Sequence, residues 1–301
     1  MFKRFLLIII LICFSHQACW PEIQEPPIAA QEQTQSQLSE ANDFGKKVLD
    51  ELKEIGIDAA QIGFMALVVF TLATIAHESG HAVAGSLLFD LYRPIQIHIG
   101  KSSLLDFSQE WFSVGNMHFY KRLWICGLTE INRKCPVEHF NLYNGILDAA
   151  GGTSAAVVLY TLLTTMMGYC AYCDNKNLHE VVTKSFINAC SPFSYILETQ
   201  NISFMQKRLL INAVLVIGLS FIFNIFYGLT PYLGVGDGIS LWRDDMGVTG
   251  TPLVIVQILS RMGVIGCWAW LIKKYFDARC ILAEQVEQTE QVNTMDPFKK
   301  V

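Results

Sequence analysis

Four long apolar stretches, separated by polar segments, dominate the pattern of this chain. They cover about 57–88, 142–169, 209–229 and 252–272. A helix of ~20 apolar residues crosses the hydrocarbon core of a bilayer, so each stretch is long enough to span a membrane. The pattern predicts a mainly α fold, a polytopic membrane helical bundle of about four core spans.

Between the first and second stretches the pattern changes from helical to alternating. Residues 94–99 alternate apolar and polar side chains, Gly100 interrupts the run, and 111–114 resumes an extended pattern. This alternation predicts a small β hairpin or sheet associated with the membrane. Unpaired strand edges are not tolerated in lipid, so we expect this element in water, in the protein core or at the interface.

The N-terminal segment 1–19 has the pattern of a targeting signal. Lys3 and Arg4 precede an apolar run over 5–14. A cleaved signal peptide, an uncleaved N-terminal anchor and a lipid-modified Cys19 are three interpretations that the sequence leaves open.

The remaining pattern predicts three further regions. Residues 20–56 form a polar linker, disordered at first, that ends in an amphipathic helix over about 38–55. Residues 57–275 form the membrane-embedded core, and 276–301 form a polar C-terminal tail.

Composition narrows the class of protein. The chain has 52% hydrophobic and 16% charged residues, and its mean hydropathy is +0.34. These values are too apolar for an ordinary soluble domain and make the lipid bilayer the first expected partner. The net charge of −5 provides no basic field, which argues against nucleic acid as a partner.

Charge also predicts an orientation. The segment after the first span is basic and is therefore expected on the cytoplasmic side. Because successive spans cross in opposite directions, 170–208 is then expected outside and the segment around Asp237 on the cytoplasmic side. The pair at 273–274 is the exception, since this scheme puts two lysines outside. In 170–208 a disulfide between two of the three cysteines and free thiols are both open interpretations. The basic residues are Arg93, Lys101, Lys121, Arg122, Arg133 and Lys134, and the cysteines are Cys170, Cys173 and Cys190.

The candidate chemistry lies towards the end of the first span, in the sequence HESGH at 77–81. Histidines four residues apart share one helix face, where both imidazoles reach a single Zn²⁺, and the intervening Glu78 points at a metal-bound water. Ionisable side chains are costly inside a bilayer and mark functional sites. His77 and His81 are therefore candidate metal ligands and Glu78 is a candidate general base.

A catalytic zinc site needs a third protein ligand. Asp237 is the first candidate, because Gly236 and Gly238 beside it allow the backbone to bend and approach the metal closely. Asp148, which lies within the second apolar stretch, is the rival.

Two segments resemble a known family. The sequence HESGHAVAG at 77–85 is similar to the zinc helix of the site-2 protease family of intramembrane metalloproteases. The segment from Asn224 through Pro231 to Trp242, which contains Asp237-Gly238, resembles that family's second motif. The resemblance implies zinc ligation by His77, His81 and Asp237 and a general-base role for Glu78. Asn224 is a further candidate, as a donor to the oxyanion or a contact to the substrate.

The expected function is that of a zinc metalloendopeptidase that hydrolyses peptide bonds in membrane-spanning substrates near the cytoplasmic side. The segment 94–116 is a candidate for pairing with an unwound substrate strand. One alternative is a non-catalytic membrane scaffold or binding protein that retains the fold. A metal transporter is a third interpretation, although only Asp148 offers a further acidic residue within a span.

Overall fold

The structure is a computed structural model that describes residues 28–295, except for 92, 102–107, 123, 125, 133–140, 175–176 and 234–235. The segment 1–19, predicted as a targeting signal, lies outside these residues. By compactness the chain divides into Met1–Gly56 and Ile57–Val301. The described part of the first unit, residues 28–56, is helical.

Long helices make up most of the second unit. Among the described residues, four helices are long and apolar enough to cross a membrane, over Leu52–Leu88, Leu142–Asp174, Phe204–Leu229 and Gly250–Thr289. This confirms the predicted fold class, a polytopic membrane helical bundle with a small sheet. The helices are α1 (Ile28–Leu88), α2 (Asn141–Asp174), α3 (Leu178–Asn188), α4 (Pro192–Glu198), α5 (Phe204–Leu229), α6 (Asp237–Ile239) and α7 (Gly250–Met295), with a π-helical segment at Ser240–Asp245.

Helix α5 packs against both α2 and α7. Gly152 of α2 and Gly228 of α5 bring two backbones together, since a Cβ on Gly152 would lie 2.7 Å from the Cα of Gly228. Small residues allow such close approaches between membrane helices. Fully buried side chains such as Leu159, Ile211 and Val214 fill the space between the helices.

Within the described residues, the sheet has four strands in the order β2-β3-β1-β4. Strand β1 lies parallel to β3 and antiparallel to β4, and β2 forms an antiparallel hairpin with β3. The small sheet predicted from 94–116 is therefore present. It also contains β3, which lies between β1 and β2, and the edge strand β4. The strands are β1 (Gln96–Ile99), β2 (Glu110–Val114), β3 (Met117–Tyr120) and β4 (Gly127–Glu130).

Two helices are longer than the sequence pattern predicted. The linker expected to be disordered is helical from Ile28 onwards, and no proline occurs between Ile28 and Leu88 to interrupt α1. Helix α7 continues through most of the predicted polar tail, as far as Met295. Tyr275, Ala278 and Leu282 recur at helical spacing and are buried in the core, which explains the continuation of α7 beyond its apolar stretch.

The polar segment 170–208 contains helices rather than a loop. Helix α2 extends to Asp174, and α3 and α4 follow it. The cysteines Cys170, Cys173 and Cys190 are free thiols in the structure, so the disulfide considered for this segment is not formed.

A charged network joins α1, α5 and α7 at the end of the bundle away from His77. Asp58 accepts hydrogen bonds from Arg208 at 2.7 Å, from Asn212 at 3.0 Å and from Arg279 at 2.6 Å. His77 follows Asp58 by nineteen residues on the same helix, which corresponds to about 28 Å at ~1.5 Å per residue. This separation is close to the ~30 Å thickness of a bilayer core, so the network and the histidines lie near opposite ends of the apolar region.

Candidate metal centre

His77 and His81 project from α1 into a buried space between the helices. Their exposed fractions are 7% and 9%. Four residues of helix bring the rings to one face, with the two Nε2 atoms 3.2 Å apart. Both nitrogens are therefore directed at the same point between the rings.

Asp237 approaches this point from the segment after α5. Its Oδ2 lies 2.7 Å from Nε2 of His77 and 3.1 Å from Nε2 of His81. Burial alone would raise the pKa of Asp237, but the hydrogen bonds from both histidines lower it to about 2. The carboxylate is therefore ionised at neutral pH, as a metal ligand must be.

The glycines beside Asp237 are required by the local geometry. Gly236 has a φ of +86°, where a side chain would be strained, and a Cβ there would also collide with the ring of Tyr227. A Cβ on Gly238 would collide with the carbonyl oxygen of Thr230. These close approaches turn the chain so that Asp237 faces the histidines.

The three donor atoms fit a metal ion. Tetrahedral N and O ligands at ~2.0–2.1 Å from zinc lie ~3.3 Å apart, and the separations here are 2.7–3.2 Å. Small outward shifts of the three donor atoms would bring these separations to the value for zinc. Gly151 of α2 borders the same space, because a Cβ there would lie 2.7 Å from Nε2 of His77 and closer still to Nε2 of His81.

The ring of His81 is held in one orientation. Its Nδ1 lies 2.8 Å from the carbonyl oxygen of Leu147, to which Nδ1–H donates. This leaves Nε2 directed at the centre, where it donates to Asp237 while it is protonated and offers its lone pair when a metal ion takes the place of that proton. The ring of Tyr227 packs against His77, with centroids 5.5 Å apart.

Glu78 lies next to the ligands and is in contact with the sheet. It is 7% exposed, and the Thr129 hydroxyl on β4 lies 2.8 Å from its Oε2 and 2.9 Å from its backbone oxygen. Gly127 allows β4 to pass this close, because a Cβ there would lie 2.5 Å from Cγ of Glu78. Strand β4 therefore positions the carboxylate.

The structure brings together three of the predicted ligands, His77, His81 and Asp237, and within the described ranges they are the one group with metal-binding geometry. Asp148 is half-buried on α2, one turn before Gly151, and is not part of this group.

Asn224 is also apart from the three ligands. It is buried, and its amide nitrogen donates to the carbonyl oxygen of Ser220 on the same helix at 2.9 Å. Its assignment as a donor to the oxyanion or to the substrate stays a prediction.

Three further residues of the centre were not identified from the sequence: Thr129, Gly151 and Tyr227. Gly151 and Gly152 lie together in the second apolar stretch, where small residues are typical of close helix packing, so the pair does not by itself indicate a metal centre. Thr129 and Tyr227 carry no local signal, because their contacts depend on how β4 and α5 fold against α1.

No protein-family model, curated protein or solved structure matches this chain. The resemblance to the site-2 protease family therefore rests on the residues of the two motifs.

Proposed function

We propose that this protein is a zinc-dependent intramembrane endopeptidase of the site-2 protease type. The observation that carries the proposal is the convergence of His77, His81 and Asp237 on one buried point beside Glu78. Two imidazoles and one carboxylate form a donor set that zinc prefers, and three protein ligands leave one position for a water or substrate. A purely structural metal site would not need Glu78.

The chemistry divides between the ion and the protein. When bound, zinc supplies a Lewis acid for the scissile carbonyl and lowers the pKa of a water molecule. Glu78 accepts the proton of that water and transfers it to the leaving amine. Thr129 holds Oε2 of Glu78 in place through its 2.8 Å contact. Burial of these groups excludes bulk water from the reacting atoms.

The outer edge of β4, with which none of the described strands pairs, suits an extended substrate. Strand β1 is paired on both sides, by β3 and by β4, so it accepts no further strand. Strand β4 is an edge strand and is half-exposed along its length. A substrate helix must unwind to present its peptide bond, and pairing with β4 would hold the unwound strand next to Glu78. Strand β2, the edge strand within the predicted segment 94–116, lies at the opposite side of the sheet from β4. Because β4 contacts Glu78, we propose β4 rather than β2 as the pairing surface.

We place the metal centre near the cytoplasmic side of the membrane, on the basis of the basic residues after the first span. Cys190 is an exposed free thiol in the segment expected outside. An impermeant thiol reagent should label Cys190 from outside in sealed vesicles. Labelling from the cytoplasmic side alone would reverse this orientation.

The metal content of purified variants tests the proposed division of roles. Zinc should be present at one equivalent in the wild-type protein and in Glu78→Gln, and it should be lost in His81→Ala. Glu284→Gln, an exposed change on α7, is the matched control for Glu78→Gln. Loss of zinc in Glu78→Gln, or full zinc in His81→Ala, would contradict the assignment of ligands and base.

A further inference from the structure

A cavity of about 410 Å³, separate from the metal centre, lies among α2, α4, α5 and α7. It shares no lining residue with the metal centre. Leu159 and Leu163 of α2 and Ile217 and Phe221 of α5 form an apolar inner wall. The volume falls within the ~300–1,000 Å³ typical of small-molecule sites, and the wall suits a hydrocarbon chain.

The rim of this cavity lies at the boundary between apolar and polar layers of the bundle. Leu271 of α7 packs on Gly218 in the apolar core. One turn later the hydroxyl of Tyr275 donates to Asn212, which belongs to the charged network of Asp58. Lys274 therefore stands at the level of lipid headgroups, on the side of the membrane away from the metal centre.

The rim is positively charged and polar. Lys274 is exposed and is the one charged residue among those that line the cavity. Within the part of the chain that the structure describes, Lys274 forms no ion pair and no hydrogen bond. Ser191, Ser194 and Trp270 also line the cavity. Tryptophan and lysine are the side chains that anchor proteins at the membrane interface.

We propose that this cavity binds one anionic phospholipid from the leaflet away from the metal centre. One of its two acyl chains lies along the wall of α2 and α5, and its phosphate pairs with Lys274 and accepts hydrogen bonds from Ser191 and Ser194. The apolar wall alone would accept any acyl chain, whereas the lysine selects a lipid with net negative charge. The proposal is independent of the peptidase function, because none of these residues belongs to the metal centre.

Retention of lipid by the full-length protein tests this site. The protein is extracted from vesicles of equimolar phosphatidylcholine and phosphatidylglycerol, and bound lipid is measured by native mass spectrometry. The wild type should retain one phosphatidylglycerol in preference to phosphatidylcholine. Lys274→Gln should bind phosphatidylglycerol about fivefold more weakly, the equivalent of ~1 kcal/mol for one basic residue at the surface. Lys273→Gln, a neighbour that does not line the cavity, is the control and should behave as the wild type.

A second variant and a labelling measurement locate the lipid. Ser194→Trp should fill the rim and release the lipid, with the fold checked by thermal unfolding. Phosphatidylglycerol should slow the labelling of Cys190 and Cys267, which line the cavity, but not of Cys280, an exposed thiol elsewhere. The proposal is overturned by equal retention in the Lys273 and Lys274 variants, by equal retention of the two lipids, or by unchanged labelling of Cys190 and Cys267.

Discussion

A methyl group on Gly151 should prevent metal binding without unfolding the protein. A Cβ at this position would lie 2.7 Å from Nε2 of His77 and closer to Nε2 of His81. An ordinary carbon–nitrogen contact is ~3.4 Å, so His77 would have to move by about 0.7 Å, whereas ligand distances tolerate only ~0.2 Å. Because two ligands are displaced together, Gly151→Ala should weaken zinc affinity by at least about 100-fold.

Competition with a chelator, followed by elemental analysis, measures this affinity. Gly145→Ala on the same helix is the matched control. Its tightest contact would be Leu241 Cδ1 at 3.2 Å, the end of a flexible side chain, and Asp245 would lie at ordinary contact distance. Alanine favours a helix over glycine by ~1 kcal/mol, so neither variant should lower the melting temperature through the backbone. Wild-type zinc affinity in a folded Gly151→Ala protein would refute the proposed position of the metal.

Three further predictions follow from contacts around the two ends of the bundle. Thr129→Val should slow hydrolysis about tenfold with zinc content unchanged, because Glu78 loses the contact that positions it. Thr129→Ser should hydrolyse at the wild-type rate, and equal rates in the two variants would exclude a positioning role for Thr129. Asp237→Ala should lose zinc while Asp148→Ala retains it, as measured by elemental analysis, and the opposite pattern would make Asp148 the third ligand. Asp58→Asn should lower stability by about 2 kcal/mol, because two arginines lose their counter-charge; an unchanged melting temperature in detergent would show that the network contributes little.

The number and length of the apolar stretches in this chain were sufficient to predict its membrane fold. Four apolar stretches gave four helices of spanning length, since apolar length alone determines whether a helix can cross a bilayer. The ends of the helices were less predictable. Helix α7 extends through a polar segment because buried residues such as Tyr275 and Leu282 recur every three to four positions, a weaker signal than hydropathy.

Part of the candidate metal centre was also predictable. His77 and His81 are four residues apart, and helical geometry alone places them on one face. Asp237 lies far along the chain, and only its flanking glycines and the family-like motif indicated it. The contact between Thr129 and Glu78 joins a strand to a helix about fifty residues away. Such a contact depends on the position of the sheet against α1, which no local pattern encodes.

Cleavage of a membrane-spanning peptide tests the central proposal most directly. The purified protein, loaded with zinc, is reconstituted in vesicles with a single-span peptide, and the products are identified by mass spectrometry. The wild type and Glu284→Gln should cut the peptide within or next to its span, while Glu78→Gln, with full zinc, should leave it intact. Two results would contradict the assignment of this protein as an intramembrane endopeptidase. One is that Glu78→Gln cleaves the peptide as well as the wild type does, and the other is that no zinc-loaded protein cleaves any peptide in a panel of different single-span peptides.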